Sequence, residues 1–101
     1  MGRARRDVIL NYVDFVAAVR VMGFGHLLKG TAPSIERMIG IENARIAKLT
    51  KAGKIHFTPL PPMETMILSR EQAFRNGHLD EELEARVRKW APLKKEALAN
   101  G

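Results

Sequence analysis

The sequence predicts a small, mainly α-helical single domain that contains a helix-turn-helix and a proline-containing loop. Three observations lead to this fold class. Apolar residues recur at intervals of three and four over most of the chain, which is the period of a helix with one buried side. Glycines and prolines separate these segments into distinct units. The chain has 101 residues, of which 46% are apolar, and this is enough for one hydrophobic core.

The charge and the cysteine content indicate which partners and which kinds of site the protein can have. The chain holds 17 lysine and arginine residues against 11 aspartate and glutamate residues, for a formal charge of +6, so a polyanion is the first partner to consider. It has no cysteine, which excludes disulfides and thiolate metal ligands, and we expect a cytoplasmic protein. Asp14 and Arg20 interrupt the apolar stretch near the N-terminus, so we expect neither a membrane span nor a cleaved secretory signal.

The N-terminal part predicts a basic arm over 1–6, followed by a long apolar helix and turn over 7–30. The helix has an apolar face wider than a single stripe. We therefore expect it to be wrapped by the rest of the domain or shared with a second chain. Gly23-Phe24-Gly25 is expected to end or kink it.

Residues 34–52 predict two short helices that are separated by a tight turn. Gly40 suits the positive φ of such a turn, and Ile41 is expected to drop into the core. The second helix, 43–52, is expected to stop at Gly53. The segment from residue 43 to residue 63 contains four cations and no acid, so the exposed side of this helix is expected to be basic. The apolar anchors of the two helices are Ile35, Met38, Ile39, Ile46 and Leu49.

The segment GIENARIAKLTKAGKI, residues 40–55, resembles the recognition segment of excisionase and MerR-type winged helix-turn-helix DNA-binding domains. In that pattern a glycine and a β-branched residue form the turn, and Gly-Lys-Ile leads into the wing. Residues 67–73 resemble the return strand of a wing that runs into a capped helix, so the similarity covers 34–74. It implies a small DNA-binding protein of the excisionase or transcription-regulator type, with helix 43–52 in the major groove. Pro59, Pro61 and Pro62 cannot donate to a strand ladder, so 58–62 is either a short hairpin or, more simply, a stiff wing-like loop.

Double-stranded DNA is therefore the predicted partner. Arg45 is suited to guanine and Asn43 to adenine, whereas lysines are suited to phosphate. The plainer alternatives are a solvated helix face and a disordered basic tail. The candidate DNA-binding residues are Asn43, Ala44, Arg45, Lys48, Lys51, Lys54 and His56, together with Arg3, Arg5 and Arg6 of the arm.

The C-terminal part predicts a helix over 79–98 that Asp80 caps and Pro92 kinks or ends. Before it, Ser69 and Gln72 predict a capping box at the start of a short helix. The apolar stripe of the C-terminal helix belongs either to the core or to a contact with a second chain. We expect a homodimer through the N-terminal or the C-terminal helix, since two half-sites raise DNA affinity.

No catalytic arrangement is apparent in the sequence. His26, His56 and His78 lie far apart, and none has a second ligand at metal spacing. We therefore expect no enzyme, no metal site and no cofactor. The alternative function is a non-enzymatic helical subunit or accessory protein of a larger assembly, of ribonucleoprotein or respiratory type, with protein or RNA partners. The wide apolar helix and the prolyl loop favour that alternative.

Overall fold

The computed structural model describes residues 4–29, 32–54 and 58–100, and every regular element among them is helical. The mainly α class is therefore confirmed, with no strand in these three stretches. A 3-10 turn, Gly25–Leu27, follows the first helix, and a π-helical turn, Phe74–His78, joins the last two. The four α-helices are α1, Arg5–Val21; α2, Pro33–Lys51; α3, Met63–Ala73; and α4, Glu81–Asn100.

Helix α1 lies at the centre of the molecule. Four consecutive residues, Val16 to Val19, are each at most 3% exposed. Successive helical residues point about 100° apart, so α1 is covered on every side at this level. Helices α2, α3 and α4 all pack against it. The wide apolar face is thus wrapped by the rest of the domain, which was one of the two expectations, and the homodimer stays a prediction.

Helices α1 and α2 both end with a glycine in the left-handed region, as the sequence predicts. Gly23 has φ 87°, and the Phe24 N–H donates to the Val19 carbonyl over 2.9 Å. Gly53 has φ 74°, and the Lys54 N–H donates to the Leu49 carbonyl over 3.0 Å. This arrangement satisfies carbonyl groups that the end of a helix leaves unpaired.

The predicted turn inside residues 34–52 is wrong, because α2 runs unbroken from Pro33 to Lys51. Gly40 does not have the positive φ that the predicted turn requires. Ile41 is 44% exposed and does not lie in the core. The cause is a single buried stripe with spacings of four, three and four residues, which one continuous helix presents to α1. That stripe consists of Ile35, Ile39, Glu42 and Ile46. The chain therefore has no helix-turn-helix at this point.

Two further expectations fail downstream. The predicted return strand at 67–68 lies inside α3, and Ser69 is in the middle of that helix, where it caps nothing. Instead α3 begins directly after Pro62, and the residues at 58–62 have no regular structure. The part of the predicted wing at 55–57 lies outside the described residues.

Helix α4 continues through Pro92 to Asn100, so the predicted end at this proline is wrong. Pro92 is exposed, so water can satisfy the carbonyl that its missing N–H leaves free. Val87 and Ala91, just before it, are the buried residues of α4. None of the helices in the described stretches has the length and apolar character of a membrane span.

The continuity of α2 can be tested at Gly40. A Cβ built at Gly40 meets no atom within 4 Å, and the position is exposed. We expect Gly40→Ala to stabilise the protein by about 0.5–1 kcal/mol in chemical denaturation, since alanine restricts the unfolded chain and favours a helix interior. The control is Gly77→Ala, which is expected to destabilise because Gly77 has φ 96°. Destabilisation by Gly40→Ala would instead indicate a turn at this position.

Candidate nucleic-acid interface

The outer side of α2 is an exposed basic face without acids. Along it, charged and small residues recur every three or four positions on the side opposite the buried stripe. From Arg37 to Lys51 the face extends about 21 Å. The acids of this helix, Glu36 and Glu42, lie off the face, and Glu42 is only 3% exposed. We call this surface the α2 face; its members are Arg37, Gly40, Ile41, Ala44, Ala47, Lys48 and Lys51, all exposed.

The buried Glu42 carboxylate holds two arginines at the edge of the α2 face. Arg45 donates to Glu42 Oε1 from Nε over 3.1 Å and also from Nη2. Arg5 Nη1, at the start of α1, lies 3.8 Å from Glu42 Oε2. The two arginine side chains are 49% and 48% exposed, respectively. One buried acid thus fixes two half-exposed cations and ties the beginning of α1 to α2.

The hydrogen bond from Arg45 lowers the pKa of Glu42, and the charges of Arg45, Arg5 and Arg6 add to this effect against the opposing influence of burial. The same hydrogen bond raises the pKa of Arg45. Glu42 is therefore ionised at neutral pH. Because Arg45 already uses Nε and Nη2 for Glu42, it has only its other N–H groups to offer a ligand. These include the outer N–H groups of Nη1 and Nη2, which can donate to a phosphate oxygen at the edge of the α2 face.

Asn43 belongs to the inside of the molecule. Its Nδ2 donates to the Leu60 carbonyl over 3.0 Å, and the Leu60 N–H donates to its Oδ1 over 2.7 Å. Leu60 is 7% exposed and packs in the hydrophobic core. The expectation that Asn43 contacts adenine is therefore corrected, because its amide anchors the prolyl loop to α2.

The structure separates the remaining predicted residues into three groups. Ala44, Lys48, Lys51 and Lys54 are exposed along α2 and just beyond its end. Arg5 and Arg6 belong to the first turn of α1, so the predicted arm over 1–6 is wrong for these two positions. Arg3 and His56 lie outside the described residues.

Arg37 is a member of the α2 face that the sequence prediction missed. It was assigned to a separate first helix, and only the continuity of α2 aligns it with Lys48 and Lys51. The signal was present in the spacing of 37, 41, 44, 48 and 51, which alternates between three and four.

The arginines between α1 and α3 are paired. Arg20 donates to Glu64 over 2.7 Å and lies 3.5 Å from the buried Glu71, whereas Arg70 donates to Asp14 over 2.7 Å. The hydrogen bond from Arg20 lowers the pKa of Glu64, so this pair stays charged. A cleft of about 520 Å³ lies beside it between α1, α2 and α3, with mostly apolar walls. Its Arg20 and Glu64 are paired with each other, which leaves the α2 face as the larger uncompensated charge.

No family model, no curated protein and no solved structure matches this chain. The candidate function therefore rests on the geometry of the α2 face and on the resemblance in residues 40–55. The residues that carry the resemblance lie mainly on α2, although they are not arranged as a helix-turn-helix.

The anchoring role of Asn43 predicts a graded loss of stability. Asn43→Ala removes both hydrogen bonds to Leu60 and is expected to lower the free energy of unfolding by about 1–3 kcal/mol. Asn43→Asp keeps the acceptor for the Leu60 N–H but sets a carboxylate oxygen against the Leu60 carbonyl, so it should cost at least as much as Asn43→Ala when both are measured by urea denaturation. Equal stability of all three proteins would show that Asn43 does not hold the loop.

The Glu42 cluster predicts a pH dependence. A carboxyl whose pKa is lowered by folding contributes stability above its usual pKa and loses it as the pH falls through the folded value. Glu42→Gln should therefore unfold more easily than the parent at pH 7, by about 1 kcal/mol, because the partner arginines are half exposed and screened. The difference should shrink below about pH 4, where the parent carboxyl becomes protonated. A difference that is constant from pH 7 to pH 3 would contradict this role.

Proposed function

We propose that this protein binds double-stranded DNA through the α2 face, as a small accessory or regulatory protein of the kind that the resemblance implies. The observation that carries the proposal is the exposed, acid-free charge of that face. Arg37, Lys48, Lys51 and, beyond the helix, Lys54 take part in none of the ion pairs among the described residues. Arg5 and Arg45 add two half-exposed guanidinium groups at its edge.

The dimensions of the α2 face suit a duplex. DNA carries one negative charge about every 1.7 Å along its axis, so a face about 21 Å long meets several phosphates. Gly40, Ala44 and Ala47 are small and exposed, and they lie between the cations. Small side chains let the helix backbone come close to a groove wall while the long lysine side chains reach outward. In this arrangement the segment 43–52 lies along the major groove, whose width of about 12 Å accepts a helix.

The contacts available on the α2 face favour phosphate over bases. Asn43 is bonded to Leu60, and Arg45 is held by Glu42 at the edge of the α2 face, so neither stands at the centre of the face, where a base edge would be read. Lysines neutralise phosphates without reading sequence. We therefore propose binding with strong salt dependence and little sequence preference.

A purely structural explanation accounts for part of the α2 face. Lys48 and Lys51 lie in the last turn of α2, where positive charge stabilises the negative end of the helix dipole. Arg37 lies near the other end of α2, where the dipole gives a cation no such advantage. Helix stability alone thus does not explain why the whole face is basic.

A second candidate is the helical subunit of a larger assembly. Leu68 on α3 and Leu93 on α4 favour it, since they are 56% and 64% exposed. Isolated exposed leucines are common on soluble proteins, so this observation is weaker than a continuous basic face. The two candidates use different surfaces and can be tested separately.

Salt titration of duplex binding tests the proposal. With about four phosphate contacts, the plot of log K against log salt concentration for a labelled duplex should have a slope of about −3.6. Lys48→Ala/Lys51→Ala should weaken binding and reduce the magnitude of the slope by about 2. Both lysines are exposed, so the double variant should retain the circular dichroism and melting temperature of the parent within a few degrees.

The matched control is Lys94→Ala/Lys95→Ala, which removes the same charge from α4. It should leave the slope nearly unchanged. Equal losses in the two double variants would show that net charge alone causes binding. No duplex binding even at low salt would leave only the second candidate.

A further inference from the structure

We propose that one face of α4 binds an acidic amphipathic helix of a partner protein. We call this surface the Trp90 patch. It is a shallow depression of about 370 Å³ at the border between α1 and α4. It is lined by Phe15, Arg86, Lys89, Trp90 and Leu93. The α2 face contributes none of these residues.

Two aromatic rings form a firm floor for the patch. The ring centroids of Phe15 and Trp90 are 5.3 Å apart with an interplanar angle of 86°, an edge-to-face arrangement that stabilises aromatic pairs. Both residues pack against the hydrophobic core, which limits their movement. Leu93 follows Trp90 by three residues on the same side of α4 and is 64% exposed. An apolar partner side chain can therefore bury Leu93 against a surface that is already ordered.

The cations around the patch determine the chemistry of its partner. Neither Arg86 nor Lys89 takes part in an ion pair among the described residues, and the Arg86 guanidinium lies 5.6 Å from the centroid of the Phe15 ring. Of the five cations between Glu84 and Glu96, these two line the patch, whereas Arg88 is bonded to Glu84. A partner that covers Leu93 thus meets positive charge on its borders, and carboxylates are the complementary groups. A helix with leucines at intervals of three and four and glutamates between them meets both requirements.

The same charges disfavour a second copy of this chain. A two-fold contact through the Trp90 patch would place Arg86 and Lys89 opposite their own copies, and like charges at an interface oppose association. Base stacking is also less suitable, because Arg86 covers the face of Phe15 and the edge-to-face contact occupies the two rings. A single strand needs an open ring face. These two occupants become outcomes of the test.

The chain contains one tryptophan, so the intrinsic fluorescence reports on the patch directly. The probe is a synthetic helical peptide of about four turns with leucines on one side and glutamates elsewhere. Two comparison probes are the same peptide with glutamine for every glutamate and a single-stranded oligothymidylate. We expect the acidic peptide to shift the Trp90 emission to shorter wavelength with saturation, and to bind at least about tenfold more tightly than the glutamine peptide.

Three variants distinguish binding at the Trp90 patch from attraction by the net positive charge of the protein. Leu93→Gln should weaken the acidic peptide about tenfold, as expected for an anchor residue at the centre of an interface. The matched control is Leu68→Gln, an exposed leucine on α3, which should leave the affinity unchanged. Arg86→Gln/Lys89→Gln should abolish the preference for the acidic peptide over the glutamine peptide. None of these four positions belongs to the α2 face. The peptide-binding test therefore does not depend on whether the protein binds duplex DNA.

Several results would overturn the proposal. These are a shift of the Trp90 emission by oligothymidylate at lower concentration than by the acidic peptide, a Trp90 emission shift that follows protein concentration together with sedimentation as a dimer, and equal effects of Leu93→Gln and Leu68→Gln. An unchanged Trp90 emission at saturating peptide would also overturn it. None of these outcomes bears on the α2 face, so failure here is distinguishable from failure of the DNA-binding proposal.

Discussion

The burial of α1 on all sides is the constraint on which the rest of the structure depends. A helix with four successive residues buried, from Val16 to Val19, must be enclosed, and the chain supplies α2, α3 and α4 for this. Each fully buried valine or isoleucine contributes about 1.5–3 kcal/mol relative to exposure. A turn in the middle of α2 would redirect part of the stripe that begins at Ile35 and ends at Ile46 away from α1. The core of the protein thus selects a continuous α2, whatever the local preference of Gly40.

Buried acids connect the core to the distribution of charge on the surface. Glu42 and Glu71 are the two buried charged residues in the stretches that the structure describes, and each lies between two arginines. Glu42 joins the start of α1 to α2, whereas Glu71 joins the end of α1 to α3 through Arg20. These ion pairs compensate the negative charge of the buried carboxylates, although Glu71 Oε2 has no hydrogen-bond partner among the described residues. The positive charge of the arginines in these pairs is compensated by the two glutamates. The cations without an acidic partner therefore lie mostly on the outer sides of α2 and α4.

The sequence predicted those features that depend on neighbouring residues. The helical class and the glycines that end α1 and α2 follow from local periodicity and backbone freedom, and the structure has them. The turn at Gly40 was a local inference too, but a glycine permits a turn without requiring one, and packing against α1 decided the outcome. The hydrogen bond between Asn43 and Leu60 joins residues that are 17 positions apart, so the sequence pattern around Asn43 does not predict it. Arg37 joined the α2 face only once α2 was known to be continuous.

The two basic surfaces differ in what stands between their cations. On α2 the intervening residues are Gly40, Ala44 and Ala47, together with Ile41 as the one larger apolar side chain, so the lysines extend from a surface with less apolar area to bury than α4 offers. On α4 they are Trp90 and Leu93, above a rigid aromatic floor. A hydrated polyanion gains from charge without apolar burial, whereas a folded partner needs an apolar anchor to offset the cost of association. Positive charge on two helices of one small domain is therefore suited to two different classes of partner, and the size of the neighbouring apolar side chains decides which.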